Sequence, residues 1–158
     1  MKIKDEKTNV MRILEQKKVK YKSYNYLETG AISGMEVAKA LNEDPNLTFK
    51  TLVTIGKTNN HYVFLVPVNK ELDLKKASKA VNEKNIEMVK SKELLALTGY
   101  IHGGCSPVGM KKSFKTVIDN TAKNYDKLIF SGGKIGYQVE TTLAELKKVI
   151  DFDLKDIT

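Results

Sequence analysis

Apolar residues recur three and four positions apart between Thr8 and Lys17, at Val10, Ile13 and Leu14. They share one helical face, while Arg12, Lys17 and Lys18 look outward, so the spacing predicts a first helix. From Val19 to Tyr26 the tyrosines Tyr21, Tyr24 and Tyr26 alternate with lysines and polar residues, which suits a partly exposed strand. Tyrosines packed on the body of the domain are the favoured reading there, ahead of tyrosines that stack on bases. Ser33 and Glu36 have capping-box spacing, followed by Val37, Ala38 and Leu41 at helical intervals. A second helix is expected from Gly34 to a point before Pro45. Phe49, Thr51, Val53 and Ile55 then alternate with Lys50, Leu52 and Thr54. Lys57–Asn60 supplies a turn into the apolar run Tyr62–Val68, a hairpin signature.

Asp73 can cap a helix carrying Leu74, Ala77, Ala80 and Val81, which Asn82–Asn85 ends. A short strand, Ile86–Val89, and a Ser91-capped helix through Leu97 lead to Gly99, placed where a helix stops. Strands are expected at Phe114–Asp119, Lys127–Ser131 and Tyr137–Glu140, the last two joined by Gly132–Gly136. Thr142 and Glu145 form a capping box for a final helix over Leu143, Leu146, Val149 and Ile150, with a loosely held acidic tail from Asp151. The sum is a single α+β domain over residues 1–158. Its curled, barrel-like sheet is mixed or mainly antiparallel and flanked by about five helices, with the glycine loops around Gly103 and Gly132 at one end.

Composition narrows the class. With 158 residues and 41% hydrophobic content, the chain suits one core. Its apolar runs fall far short of the ~18 residues that a membrane helix requires, and no signal-peptide core opens the chain, so a soluble cytoplasmic protein is expected. One cysteine and two distant histidines, His61 and His102, make no zinc set, and neither metal nor cofactor is expected. The net charge of +8 rests on lysines, with Arg12 the sole arginine. Such charge attracts phosphates diffusely without reading bases; a solvated lysine surface would give the same composition.

The stretch Thr98–Lys112 carries neither period. It concentrates four glycines, Pro107, Cys105, His102 and a terminal lysine pair. Glycines let main-chain N–H groups converge on one oxygen, which makes this loop the active-site candidate. Gly104–Gly109 has half of a P-loop, but Met110 stands where the lysine belongs, which excludes nucleoside triphosphate hydrolysis. Cys105 as a nucleophile would need His61 or His102 as base, and a buried thiol is the preferred reading. Ser106 sits in no Gly-x-Ser-x-Gly elbow. Lys50 interrupts an apolar strand, where a lysine either snorkels or meets an anion; on residue type alone, snorkelling is favoured. Ser131 before Gly132–Gly133 is a second place for ligand contact, and a plain hairpin would look much the same.

Together Lys7–Arg12, Phe49–Val53, Val66–Val68 with Leu72–Lys76, Thr98–Lys112, Ile118–Asp119 and Ser131–Gly136 resemble the YbaK/EbsC family of Cys-tRNA(Pro) deacylases. The pattern Thr-Gly-Tyr-x-x-Gly-Gly-x-Ser-Pro-x-Gly-x-Lys-Lys is its most specific part. The resemblance implies trans-editing that removes cysteine from tRNA(Pro), and possible action on Cys-tRNA(Cys), alongside prolyl-tRNA synthetase. Neither DNA nor a membrane would be a partner.

By position, the resemblance makes Lys50 the essential lysine, with Gly103 and Gly104 as main-chain donors to an oxyanion. Tyr26, Thr51, Tyr100, Ser106, Ser131 and Gly132 would line the substrate pocket, and Lys111 and Lys112 would touch tRNA. Ser33 and Gln138 depart from the pattern, standing where relatives carry an aromatic residue and an acid. The substrate's own thiol would attack its ester carbonyl, so Cys105 would be dispensable. The alternatives are a deacylase for alanyl- or seryl-tRNA and a non-catalytic basic RNA-binding module.

Overall fold

The computed structural model describes residues 6–158. The Thr8 hydroxyl accepts from Met11 N–H at 3.2 Å and caps α1 (Asn9–Gln16), which buries Val10, Met11 and Leu14. Next come β1 (Lys22–Asn25), a 3-10 turn (Leu27–Thr29) and α2 (Gly34–Ala40), where Ser33 and Glu36 form the expected reciprocal capping box. The hairpin of β2 (Phe49–Gly56) and β3 (His61–Pro67) leads into α3 (Leu74–Ala80), β4 (Ile86–Met88) and α4 (Ser91–Thr98). Beyond the glycine loop lie β5 (Lys115–Asp119), a 3-10 turn (Asn120–Asn124), β6 (Leu128–Ser131), β7 (Tyr137–Thr141), α5 (Leu143–Leu146) and β8 (Asp153–Lys155).

Two sheets form. The smaller is antiparallel, in the order β1–β7–β6, and the larger is mixed, in the order β4–β2–β3–β5–β8, with β3–β5 and β5–β8 parallel. They meet where Thr48 bridges Ile129 in parallel and Ile129 N–H donates to the Leu47 carbonyl at 2.9 Å. Phe49, Val53, Val63, Leu65, Phe130 and Val139 fill one core with α1. Phe64, Val66 and Val117 pack with Ala77 of α3 and its C-cap Val81 in another. The central strand β3 is buried on both faces, which is why its sequence is a continuous apolar run and not an alternation.

The two sheets join along that short seam in the mixed α+β arrangement expected, without closing into a full barrel among the described residues. Three expectations change. The cap of α4 is Lys90, which makes no side-chain cap bond, and Ser91 is already its first helical residue. α5 stops at Leu146: Glu145 accepts Lys20 N–H and pairs with Lys148 instead of completing a box, and Val149 and Ile150 follow in turns. The tail is held firmly, since β8 pairs with β5 and Ile157 is fully buried, with its N–H donating to the buried Asp119 carboxylate at 3.1 Å.

Candidate functional site

β2 and β6 meet in parallel at the Thr48–Ile129 bridge, and Lys50 and Ser131 each stand two steps beyond it, on the same face of their strands. The Lys50 ammonium lies 3.3 Å from Glu71 Oε1, but the Glu71 side chain is 91% exposed. An ion pair so open to water contributes about 0–1 kcal/mol, and an anionic ligand can displace it. Ser131 Oγ accepts Gly133 N–H at 3.1 Å, while Gly132 N–H donates to the Tyr137 carbonyl at 2.9 Å and closes the β6–β7 hairpin. Tyr26 is buried, and its N–H ties β1 to this hairpin through the Gly136 carbonyl at 2.8 Å.

The glycine loop reaches the same hairpin. The Ile101 carbonyl accepts Gly104 N–H at 3.0 Å and Gly103 has φ +90°, the geometry of a type II turn that only glycine adopts freely. A Cβ on Gly104 would lie 3.2 Å from Ile135 N and 3.4 Å from Lys134 Cα, so the two glycine loops touch backbone to backbone. Lys50, Ser131, the Gly132–Gly136 hairpin and the Gly103 turn are therefore one contiguous region. Gly104 N–H is committed to closing the turn; Gly103 is an exposed residue whose N–H has no partner among the described residues. The Tyr100 hydroxyl donates to the Val108 carbonyl at 2.5 Å and braces the loop from within.

Other candidates lie elsewhere. Thr51 follows Lys50 in the strand and so points to the opposite face, where its buried Oγ1 lacks a hydrogen-bond partner among the described residues. Ser106 is fully buried and accepts Val108 N–H at 3.3 Å. Burial pushes the Cys105 thiol up to about 11, against a smaller opposing pull from Thr98, which leaves it without thiolate character at neutral pH. The stem of Lys111 lies across Gly99, and Lys112 lines a separate groove behind the loop.

Similarity to known proteins adds the chemistry. The profile of the aminoacyl-tRNA editing domain matches residues 31–149. EbsC of Enterococcus faecalis, provisionally named a Cys-tRNA(Pro)/Cys-tRNA(Cys) deacylase, is 43% identical over 97% of this chain and 94% of its own. The chain belongs to the aminoacyl-tRNA editing family. A solved protein described provisionally as a trans-editing enzyme for prolyl-tRNA synthetase superposes on this editing domain with TM-score 0.76, at 26% identity, covering 94% and 98% of the two chains. A hypothetical protein of solved structure shares the fold at TM-score 0.82 and 19% identity, over 94% of this chain and all of its own.

The editing domain also carries acids that sequence reasoning did not bring forward. Gln138 pairs with Ser131 across β6–β7; with its amide nitrogen turned toward Glu43, it donates to Oε2 at 2.6 Å and Oε1 at 3.2 Å. Burial raises the Glu43 carboxyl to about 7, and the nearby Glu140 pushes the same way against Gln138, Thr48 and Lys127. Glu140 is itself buried and held by the Tyr24 hydroxyl at 2.8 Å and the Lys127 ammonium at 3.1 Å. Glu43 follows the left-handed Asn42 beyond α2, a helix-end position that sequence reading treats as solvent.

Proposed function

We propose that the chain is a trans-editing deacylase that removes cysteine from mischarged tRNA(Pro), and from Cys-tRNA(Cys), in association with prolyl-tRNA synthetase. What supports this reading is the meeting of Lys50 and Ser131 with the Gly103 turn through a shared hairpin, in a domain of the aminoacyl-tRNA editing family. The relative named for Cys-tRNA deacylation supplies the substrate.

An aminoacyl ester is already activated, so the protein's task is to place it and stabilise developing charge. Lys50 holds the phosphate at the 3′ end of the tRNA, leaving Glu71 to water. Gly103 N–H donates to the carbonyl oxygen as it becomes an oxyanion. The substrate sulfur then bonds to its own carbonyl carbon and the carbon–oxygen bond to the ribose breaks. The departing 3′ oxygen takes the thiol proton, and the cyclic thioester is hydrolysed in water.

Deacylation of cysteinyl, seryl and alanyl esters of tRNA(Pro), with and without the synthetase, tests the reading. Cysteine should be released at least tenfold faster than serine or alanine, and Lys50→Ala should lose about a hundredfold or more, roughly 2.7 kcal/mol. Equal rates on the three esters, or full activity without the lysine, would sink it.

A further inference from the structure

A cavity of about 610 Å³ opens on the far side of the glycine loop, between its second limb with β5 and the segment from Lys147 to Asp153. It shares no residue with the Lys50–Ser131–Gly103 region. A ligand-sized space of this kind falls in the range of small-molecule pockets. A smaller cavity of about 370 Å³ adjoins it through Ser113, Phe114 and Lys115 and extends the trough to His61, whose ring lies 5.5 Å from that of Phe114.

Three chemistries line this trough. Lys112 and Lys115 are exposed and, among the described residues, have no ion-pair partner. Asp151 and Asp153 present carboxylates from the opposite wall, and the apolar surface between includes Met110, Phe114 and Phe152. Lys147 is not free for a ligand: its ammonium donates to the Phe152 carbonyl at 2.7 Å and lies 4.2 Å from the Phe152 ring centroid, which fixes that end of the wall. An acidic peptide would satisfy the lysines and be repelled by the aspartates. A nucleotide satisfies all three, with phosphate for the ammonium groups, hydroxyl or amino donors for the carboxylates, and a base face for the apolar floor. The chain from Gly103 to Lys112 spans at most about 32 Å even fully extended, so one RNA can meet both places.

We propose that this trough is a second RNA contact, which takes a nucleotide of the tRNA acceptor arm set back from the esterified end. It rests on the tRNA-editing reading of the first site. Its test separates the two. In Lys115→Gln, binding of uncharged tRNA should weaken and its log–log salt slope should fall by about 1; in Lys115→Glu, affinity should drop about tenfold or more. The matched reversal Lys92→Glu on α4, outside the trough, should change binding less than twofold. Turnover of a minimal ester, cysteinyl-adenosine, should be unaltered in Lys115→Glu, while kcat/KM on full tRNA falls in step with affinity. Unchanged tRNA binding, equal losses on the minimal and full substrates, or an equal loss in Lys92→Glu would overturn the proposal. Should the wild-type protein cleave no ester at all, the binding comparison alone still decides the trough.

Discussion

Gln138 donates its amide nitrogen to both carboxylate oxygens of Glu43, one cross-strand step from Ser131. The amide bonds favour the ionised carboxylate, but burial outweighs them and raises the Glu43 carboxyl to about 7.

The sign for stability follows from a folded-state value of about 7 against an ordinary 4.5. Between those values the unfolded chain has released the proton and the folded chain has kept it, so folding stability falls as pH rises from about 4.5 to 7 and is then flat. Glu43→Gln should be the more stable protein at pH 8 and indistinguishable from wild type below pH 4.5. Discounted for partial exposure, the gain is about 1 kcal/mol, or 2–4 °C in Tm by calorimetry. An equal Tm difference at both pH values would contradict the assignment.

Two of the left-handed glycines of the site should respond differently to a methyl group. At Gly133 an added Cβ would meet Val10 Cγ2 at 2.5 Å and Tyr100 Cε1 at 3.3 Å, beneath the hairpin. At Gly103 the nearest atom is Ile135 Cγ1, at an ordinary 3.6 Å. Both pay the left-handed penalty of about 1–2 kcal/mol. Gly133→Ala should therefore cost more in urea unfolding, by about 1–3 kcal/mol from overpacking. Gly103→Ala should keep most of its stability and show its defect in deacylation.

Cys105 should be inert. With burial raising the thiol to about 11, alkylation of the folded protein by iodoacetamide at pH 7.5 should be slower than that of a free cysteine by about a hundredfold or more. Cys105→Ser should retain deacylation, with a stability cost of about 1–3 kcal/mol for placing a hydroxyl in an apolar site. Rapid alkylation, or loss of activity in a folded Cys105→Ser, would contradict this.

The carboxyl-terminal strand should be a stability element. Ile157 is fully buried against α3 and β5. Ile157→Ala should cost about 2–5 kcal/mol in chemical denaturation. A smaller loss than in the exposed Leu74→Ala would show the tail to be dispensable.

Local rules made much of the architecture legible. Thr8, Ser33 and Asp73 cap the helices whose apolar faces follow them, and the alternation after Phe49 marks β2. The tail was misread because the pattern around β8 is acidic, and only pairing with β5 and the Asp119 carboxylate makes an isolated Ile157 a core residue. At the site, Lys50 and the glycine turns stood out as residues that their local pattern does not explain. Glu43 and Glu71 gave no such signal, since a carboxylate at a helix end or in a loop is ordinary until the fold brings Gln138 or Lys50 to it. Thr51, which the resemblance put beside Lys50, lies on the other face of the strand pleat, with its buried Oγ1 unpartnered among the described residues.

The parallel bridge between Thr48 and Ile129 is the short main-chain seam between the two sheets. Each sheet is knitted internally by several paired residues, whereas the two are stitched to one another by a single short seam, with Lys50 on one side and Ser131 on the other. Because Phe49, Val53, Val63 and Leu65 of one sheet share a core with Phe130 and Val139 of the other, heating should melt both together, so that catalysis and circular dichroism fade in one transition.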